Sequence, residues 1–416
     1  MPKNNKIALI INYTNQNRNS FNSLLGALEA NQDINIDVYF ASKESELVTL
    51  LKNKQDLYDK IIVAFSFFTI NLNKVAKSMS SLLEIKRAIN NPNKLIFIAG
   101  GPHPSGDPKG TLELGFNFVF VGEAEESFPD FLRKFINNED YLKVKGLVYK
   151  EGDDYIFTGR PNKINLDDFP PFSLKYLKFG PIEITRGCPF CCYYCQTPRL
   201  FGVNVRHRSE DSILEWVKIM RKNKLRDIRY ISPDSFAYGS DDGKKLNIDA
   251  LESLFSKIFE VIKPYGRQFI GSFPSEVRPE HVTEETVDIV LKYGSNRNII
   301  FGAQTGSDRL LKEINRGHTV EDVYMAVDVC LKKNLIPHID FIFGLPGEKE
   351  EDVISTIEMI KDLTSKGAII HAHRFFPLPQ TVFSKESRGV VNEKIIKLAG
   401  ELSRKGLLYG NINDYK

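Results

Sequence analysis

The sequence has 416 residues, of which 42% are hydrophobic and 26% are charged. This composition excludes wholesale disorder, and the length predicts two or three domains, since domains commonly run to about 100–200 residues. The 56 basic residues nearly balance the 53 acidic ones, giving a net charge of +3. This net charge does not indicate a basic surface that binds a nucleic-acid backbone, so no nucleic-acid partner is expected.

The chain shows no sign of membrane insertion or secretion. No apolar run approaches the ~20 residues that span a bilayer. The opening segment Met1–Lys6 has no apolar stretch behind it of the kind that marks a signal peptide. We therefore expect a cytoplasmic protein with no membrane partner.

Residues 1–140 alternate between strand and helix patterns. Helices are predicted at Ser20–Ala30, between the third and fourth strands, and at Glu125–Asn137. The predicted strands are Lys6–Asn12, Asn35–Phe40, Lys60–Phe68, Lys94–Ala99 and Phe118–Val121. Such alternation predicts an α/β domain with a doubly wound, Rossmann-like parallel sheet.

Two glycine-containing loops directly follow predicted strands of this sheet, where ligands of doubly wound folds bind. One is Gly100-Gly101-Pro102-His103 and the other is Gly122-Glu123-Ala124-Glu125. Paired glycines allow a ligand to approach the backbone closely, but tight turns of any α/β fold would look the same. The dinucleotide fingerprint G-x-G-x-x-G is absent after the first strand.

Residues 141–179 separate this domain from the rest of the chain. Lys145–Tyr149 and Tyr155–Thr158 flank a charged segment that contains Gly152, which predicts a hairpin. The following segment contains Pro170-Pro171 and has no periodicity. We interpret the whole stretch as a hairpin and linker.

The five cysteines are unevenly distributed. Cys188, Cys191, Cys192 and Cys195 fall within eight residues, and Cys330 stands alone in a helical pattern. The C-x3-C-x2-C spacing of Cys188, Cys192 and Cys195 suits three irons of a [4Fe–4S] cluster. A structural zinc site, which would want a fourth ligand, and a thioredoxin-like redox pair are the alternatives. Cys191 is either a spare thiol or a catalytic one, and Cys330 is expected in the core.

Residues 180–380 predict a partial (β/α)6 barrel, two units short of a closed one. Helices are expected at Ser209–Lys222, Asp249–Ile262, Thr283–Tyr293, Val320–Lys333 and Glu350–Lys366. The six predicted strands are Ile182–Thr185, Asp227–Ser232, Gln268–Phe273, Asn298–Gly302, Ile336–Phe343 and Ile369–Phe376. Residues 381–416 are predicted as a C-terminal helical segment, with an amphipathic helix at Asn392–Leu408 that closes the barrel.

Polar residues mark the ends of these strands. Asp234, Glu276 and Gln304 each follow a strand, although a helix cap or a turn would explain any one of them. His371 and His373 alternate in the last strand, so both lie on one face, either toward the lumen or toward the helices. Two histidines alone do not predict a metal site.

The cysteine loop, with a strand before it and an aromatic before its last cysteine, resembles the signature of the radical S-adenosylmethionine (SAM) superfamily. The resemblance implies that Cys188, Cys192 and Cys195 hold a catalytic [4Fe–4S] cluster whose fourth iron binds SAM. Gly302–Ser307 with Arg316–Thr319 is similar to a segment of methylthiotransferases and cobalamin-dependent members. It implies that Asp234, Glu276 and Gln304 contact SAM, that Phe343 and Leu345 flank its adenine, and that Tyr194 packs at the cofactor site.

The two N-terminal loops resemble those of the cobalamin-binding domain that is fused to many radical SAM enzymes. This implies cobalamin contacts from Gly100, Gly101, Pro102, His103, Gly122 and Glu123. The segment Ser66-Phe67-Phe68-Thr69 would lie near the lower face of the corrin, although core packing is the alternative for both phenylalanines. The Asp-x-His-x-x-Gly signature is absent, so the lower ligand of cobalt is not expected to be a histidine of that motif.

The resemblance covers nearly the whole chain and is closest to archaeal members. It implies a methyltransferase that moves a methyl group from SAM, through cobalamin, to an unactivated carbon. The acceptor would be a peptide, a protein or a small molecule, with the glutamine α-carbon of methyl-coenzyme M reductase as one candidate, and an electron donor would be needed.

Three alternatives remain open. A methylthiotransferase would need a second cluster on N-terminal cysteines, and none precedes Cys188. A rearrangement or cyclisation would use cobalamin without methyl transfer. A non-catalytic cobalamin-binding module would not need the intact cysteine loop.

Overall fold

The computed structural model describes residues 6–412. The chain divides after Gly180 into two compact units, each with its own core. Within the described residues, no helix is both long enough and apolar enough to cross a membrane.

The first unit is built on one seven-stranded sheet. Its strands are β1 (Ile7–Asn12), β2 (Asp37–Ala41), β3 (Lys60–Ser66), β4 (Leu95–Gly100), β5 (Phe118–Phe120), β6 (Leu147–Glu151) and β7 (Asp154–Phe157). The spatial order is β2-β1-β3-β4-β5-β6-β7, in which β2 to β5 pair in parallel and β6 pairs antiparallel with both β5 and β7. The chain therefore reverses its direction of strand addition between β1 and β3, the place where doubly wound sheets bind ligands.

Helices cover both faces of this sheet. They are α1 (Arg18–Ala30), α2 (Glu44–Lys54), α3 (Leu72–Ala88), α4 (Pro102–Gly106), α5 (Pro108–Glu113) and α6 (Ser127–Ile136). Ile10 packs in a core with Leu47 of α2 and Met79 of α3. Its neighbour Leu9 packs in a second core with Phe21 of α1 and Phe131 of α6. Because both faces are buried, the strands are continuously apolar, and the predicted doubly wound fold is confirmed.

The predicted hairpin is present and belongs to the first unit. It turns at Gly152, whose φ of 60° is left-handed, and pairs β6 with β7. β6 also pairs antiparallel with β5, through Phe118 opposite Tyr149. The hairpin therefore extends the sheet instead of bridging two domains as free chain.

The second unit alternates strands and helices. Its strands are β8 (Ile182–Glu183), β9 (Thr185–Arg186), β10 (Arg206–His207), β11 (Asp227–Ile228), β12 (Tyr230–Ile231), β13 (Arg267–Gln268), β14 (Asn298–Gln304), β15 (Ile336–Phe343), β16 (Ile369–Arg374) and β17 (Leu408–Asn411). Its helices are α7 (Thr197–Phe201), α8 (Glu210–Lys222), α9 (Ile248–Ile262), α10 (Glu284–Tyr293), α11 (Asp308–Glu313), α12 (Val320–Lys332), α13 (Glu350–Ser365) and α14 (Glu393–Arg404).

Apart from β9 and β10, which pair antiparallel, the paired strands of the second unit are parallel. β8 pairs with β12, and β11 pairs with β13. The segment after β13 reaches β14 through a parallel bridge between Val277 and Phe301. β14, β15, β16 and β17 form one parallel sheet. The predicted partial barrel of six β/α units is confirmed.

Two predicted elements of this unit were wrong in extent. The strand predicted at Gln268–Phe273 covers only Arg267–Gln268, because Gly271 adopts a left-handed φ of 63° that ends the extended backbone. The helix predicted at Asn392–Leu408 ends at Arg404, and β17 follows it. The segment after residue 380 is therefore not purely helical, and β17 is the fourth strand of the parallel sheet that contains β14, β15 and β16.

Candidate active site

The cysteine loop begins where β9 ends. Gly187 has a φ of 95°, and a Cβ there would collide with the carbonyl oxygen of Asn204, so only glycine allows the chain to turn into the loop. The backbone N–H of Cys188 donates to the Gly202 carbonyl at 3.1 Å, and that of Cys195 to the Cys192 carbonyl at 3.0 Å. Local backbone contacts thus fix the positions of the three cysteines.

A second segment, Ile314–Arg316, holds this loop from the other side. Its Ile314 carbonyl accepts a hydrogen bond from the N–H of Tyr193 at 3.0 Å, and the Asn315 amide donates to the Phe190 carbonyl at 3.0 Å. The Arg316 guanidinium approaches the Sγ atom of Cys192, with Nη1 at 3.7 Å. The Arg316–Thr319 motif therefore includes a residue that touches a cysteine sulfur, a role that the sequence did not reveal.

The spacing of the thiols favours a cluster over a single zinc ion. Among the described residues, only Asp340, His371 and His373 bring three potential ligand atoms within 4.8 Å of one another. Sulfurs around one zinc ion would lie roughly 3.8 Å apart, given Zn–S bonds near 2.3 Å. Cys188, Cys192 and Cys195 do not form such a group, so at least one pair of their sulfurs lies farther apart than 4.8 Å, as ligands of different irons would.

Burial disfavours the thiolate forms of two of the cysteines, Cys188 and Cys195, in the metal-free chain. Burial raises the pKa of Cys188 to about 11, and it also raises the pKa of Cys195. A bound metal ion favours the thiolate strongly enough to displace such protons. The donor set therefore fits an iron–sulfur cluster whose assembly releases protons.

One cavity collects the cysteines and the polar strand ends. The sequence-predicted residues on its wall come from separate places in the chain: Cys188, Cys192, Tyr194, Cys195, Asp234, Glu276 and Gln304. Cys191, Arg278, Arg316 and Asp340 share this wall. Parallel strands end at the same edge of the barrel, which is why side chains so distant in sequence meet here.

Phe343 and Leu345 are placed differently from the other predicted contacts. Both are almost fully buried, at 1% and 3% exposure, and neither is on the described wall of the cavity. Phe343 stacks on Phe341, and Leu345 packs in a small core cluster with Leu310, Ile314 and Phe375. In this structure they support the cavity from the core.

Asp234 is held by a histidine that the sequence analysis missed. Its Oδ2 atom lies 2.5 Å from Nδ1 of His281, and both side chains are buried. The Lys244 carbonyl lies 2.8 Å from the other ring nitrogen of His281. Burial alone would lower the pKa of His281, but the Asp234 carboxylate outweighs it and raises that pKa. The pair fixes one carboxylate oxygen and leaves Asp234 on the cavity wall.

Glu276 and Gln304 present a carboxyl and an amide to the same space. Burial, together with the nearby Asp340 carboxylate, raises the pKa of Glu276. Gln304 has a φ of 71°, unusual for a residue other than glycine, at an irregularity where β14 meets β15. Its amide lies so close over Gly302 that any side chain at that position would collide with it. Such strained conformations occur often at functional sites.

Asp340 and the two histidines of β16 form a second polar group. His371 and His373 lie on one face, as alternation predicted, and Nδ1 of His371 is 2.9 Å from Oδ1 of Asp340. Asp340 was missed because only the strand register places it opposite His371.

The residues predicted to contact cobalamin meet at the carboxyl edge of the first unit's sheet. Ser66 at the end of β3 is in register with Gly100 at the end of β4. Gly101 has a φ of 92°, and a Cβ there would come within 2.5 Å of Ser66 Oγ. Asn17 spans the gap between the first and third strands, because its amide donates to the carbonyls of Asn12 and Ser66. Gly122 and Glu123 follow β5, where Glu123 accepts from the Ile164 N–H at 3.3 Å.

Of the two phenylalanines at this edge, Phe67 is buried and Phe68 is exposed. Phe67 is 3% exposed and stacks on the His103 ring at 5.4 Å, whereas Phe68 is 43% exposed. Nδ1 of His103 is 3.1 Å from the Thr69 hydroxyl, and its buried Nε2 has no hydrogen-bond partner. Burial lowers the pKa of His103, so the ring is neutral near pH 7. Phe67 therefore belongs to the core, and Phe68 presents an apolar face at the sheet edge.

Comparisons with known proteins agree with this architecture. The profile of the Radical SAM superfamily matches residues 182–360. An uncharacterized methyltransferase of Pyrococcus horikoshii is 27% identical over an alignment of 319 positions, which covers 73% of this chain and 66% of that protein. A putative methylthiotransferase of Methanocaldococcus jannaschii is 26% identical over an alignment of 309 positions, which covers 72% of this chain and 65% of that protein. The chain thus spans less than two thirds of either relative.

A solved structure shares the fold across both units. The radical SAM methyltransferase TsrM from Kitasatospora setae, solved with cobalamin and a [4Fe–4S] cluster, matches with a TM-score of 0.69. The match covers 91% of this chain and 74% of that protein at 14% identity, which establishes a common fold. Together with the profile match, this shows that the chain carries a radical SAM domain in residues 182–360 and has the fold of a cobalamin-binding radical SAM methyltransferase.

Proposed function

We propose that the chain is a cobalamin-dependent radical SAM methyltransferase that methylates an unactivated carbon. The observation that carries the proposal is the cavity that combines the three thiols of the C-x3-C-x2-C motif with Asp234, Glu276 and Gln304. When bound, the cluster and SAM supply a carbon radical, and cobalamin carries the methyl group.

The chain's own residues would position these groups. Cys188, Cys192 and Cys195 hold three irons and leave the fourth free for SAM. Asp234, fixed by His281, is a hydrogen-bond acceptor for SAM, and Glu276 and Gln304 offer further polar contacts to it. Arg316 donates toward the Cys192 sulfur, and such contacts tune the reduction potential of a cluster.

The first unit has features that suit cobalamin. Gly100 and Gly101 allow close approach to the backbone, and the exposed Phe68 offers an apolar surface to a corrin. The buried, unpartnered Nε2 of His103 is a polar atom that a ligand or water would satisfy. Pro102, Gly122 and Glu123 are further proposed cobalamin contacts at the carboxyl edge of this sheet. Because the Asp-x-His-x-x-Gly motif is absent, we propose that the lower ligand of cobalt is not a histidine of that motif.

The acceptor is proposed to be a carbon of a peptide, protein or small molecule, with a reducing partner supplying the electron. The glutamine α-carbon of methyl-coenzyme M reductase is the first acceptor to test. Methylthiolation is the second candidate, because several relatives are named for that reaction. It is disfavoured by the lack of any cysteine before Cys188 to hold a second cluster.

Anaerobic reconstitution followed by iron, sulfide and cobalamin analysis tests the proposal. We expect about four irons and one cobalamin per chain. Ala substitutions at Cys188, Cys192 or Cys195 should each abolish the cluster, whereas Cys330→Ala, in α12 and away from the loop, should retain it. Four irons without cobalamin, even with excess supplied, would overturn the cobalamin assignment.

Labelled SAM then separates the two transfer reactions. An acceptor that gains a labelled methyl on carbon supports methyl transfer. An acceptor that gains sulfur together with the methyl would instead establish methylthiolation. Cobalamin uptake with neither product, but with an altered acceptor skeleton, would establish a rearrangement.

A further inference from the structure

Asp340, His371 and His373 bring three ligand atoms together on the sheet of the second unit. His371 Nδ1 lies 2.9 Å from Asp340 Oδ1, and His373 Nε2 lies 3.1 Å from His371 Nδ1. The remaining distance, from His373 Nε2 to Asp340 Oδ1, is 3.7 Å. The register explains the grouping, since Asp340 of β15 lies opposite His371 of β16, and His373 follows two residues later on the same face.

Each hydrogen-bonding scheme leaves one unfavourable contact in this arrangement. If His371 Nδ1 donates its proton to Asp340, it has no lone pair left for His373. If His373 donates to His371 instead, the Nδ1 lone pair of His371 faces the carboxylate oxygen at 2.9 Å. If both rings donate to Asp340, their two N–H groups face each other at 3.1 Å, and one proton shared among the three atoms forms only bent hydrogen bonds. A cation placed among them takes a lone pair from each.

The site is accessible, and its geometry is supported by neighbours. The side chains of Asp340, His371 and His373 are 19%, 31% and 44% exposed, so an ion can reach them. Tyr409 of β17 stacks on the His371 ring, with centroids 4.4 Å apart and planes within 12°. Asp340 also lies on the cavity wall that carries the cysteines, together with Glu276, whose carboxyl adds negative charge near the site.

We propose that Asp340, His371 and His373 bind a divalent transition-metal ion, such as Mn²⁺, Fe²⁺ or Zn²⁺, at a site separate from the cysteine cluster. Two imidazoles and one carboxylate suit such ions and leave coordination positions open. Because Asp340 lines the cavity, an open position faces the space where an acceptor binds. It would take an oxygen ligand, such as a carbonyl or carboxylate of the acceptor. The choice of the acceptor as this ligand rests on the proposed function, whereas binding of the metal ion does not depend on cobalamin or on methyl transfer.

The test is a Mn²⁺ titration of the full chain carrying its oxidised [4Fe–4S] cluster, without SAM, followed by electron paramagnetic resonance. The cluster occupies the cysteines, and its oxidised form is diamagnetic, so the free Mn²⁺ signal reports binding at other sites. We expect one Mn²⁺ per chain, displaced by Zn²⁺, which binds such donors more tightly. Asp340→Asn, His371→Gln and His373→Gln should each weaken binding by about tenfold or more.

His338→Gln is the matched control, because His338 lies on the same strand but contacts Tyr409 and Asn298 instead of the triad. It should leave Mn²⁺ affinity unchanged. Pulsed resonance of the Mn²⁺ complex of the unsubstituted chain should show coupling to two imidazole nitrogens, a result that holds even if a variant misfolds. Absence of Mn²⁺ uptake, absence of nitrogen coupling, or equal affinity in the triad variants would overturn the proposal.

Discussion

Glu348 shows how burial changes the chemistry of one residue. It lies in the loop after β15, where its Oε2 atom accepts a hydrogen bond from the Gly344 N–H at 3.1 Å. Burial, with a smaller effect from the negative charge of Asp352, raises its pKa from 4.5 to about 7. Its folded-state pKa therefore exceeds its unfolded value, so the folded chain binds this proton more tightly. The stabilisation is complete below about pH 4.5 and is lost as the pH rises through about 7.

Glu348→Gln should remove this pH dependence, because glutamine resembles the protonated acid. At about pH 8 the variant should have a free energy of unfolding higher than that of the parent chain, by up to about 3 kcal/mol. Near pH 4.5 the two should agree. Chemical denaturation across this range measures the difference, with Glu351→Gln, an exposed neighbour, as the control. A difference that does not vary with pH would contradict the assignment of the proton to Glu348.

The site residues that could be predicted from the sequence are those that belong to short, contiguous motifs. The C-x3-C-x2-C spacing and the polar strand ends stand in short motifs, and Cys188, Asp234 and Gln304 do line one cavity. Asp340 and His281 were missed because their partners are set by strand register and loop packing between distant segments. Phe343 and Leu345 illustrate the reverse case, since an apolar residue near a strand end packs equally well in a core.

At the scale of elements, β17 is the feature that the sequence did not predict. It has four residues, contains Gly410, and directly follows an amphipathic helix, so its pattern alone is too short to indicate a strand. Pairing with β16 defines it, with His371 opposite Tyr409. Tyr409 is thereby placed against the His371 ring, which connects this terminal strand to the proposed metal site.

Gly410→Ala should destabilise this end of the sheet more than Gly406→Ala does. Both glycines have positive φ, 113° and 71°, so alanine is strained at each. A Cβ at Gly410 would also collide with the backbone of Ala372 in β16, whereas one at Gly406 has no atom within 4 Å. We expect losses of about 2–4 kcal/mol and about 1 kcal/mol respectively. Urea denaturation of both variants measures them, and equal losses would argue against the close packing of β17 on β16.

At the scale of the whole molecule, the two units separate both structure and proposed chemistry. The first has two cores of its own, one on each face of its sheet, and the residues proposed for cobalamin. The second contains all five cysteines and the segment that matches the Radical SAM superfamily. Domains with independent cores commonly fold alone. The chain therefore offers a direct way to assign each cofactor to one unit.

Expressed separately, residues 1–180 and 181–416 should each fold and should divide the cofactors between them. The first fragment should unfold cooperatively and take up cobalamin without iron. The second should accept about four irons and no cobalamin, because its cysteines alone supply the cluster ligands. Absorbance spectra with metal analysis measure both, and Cys192→Ala in the second fragment is the control that removes iron. Iron in the first fragment, or cobalamin held by the second alone, would show that the two sites are not divided at Gly180.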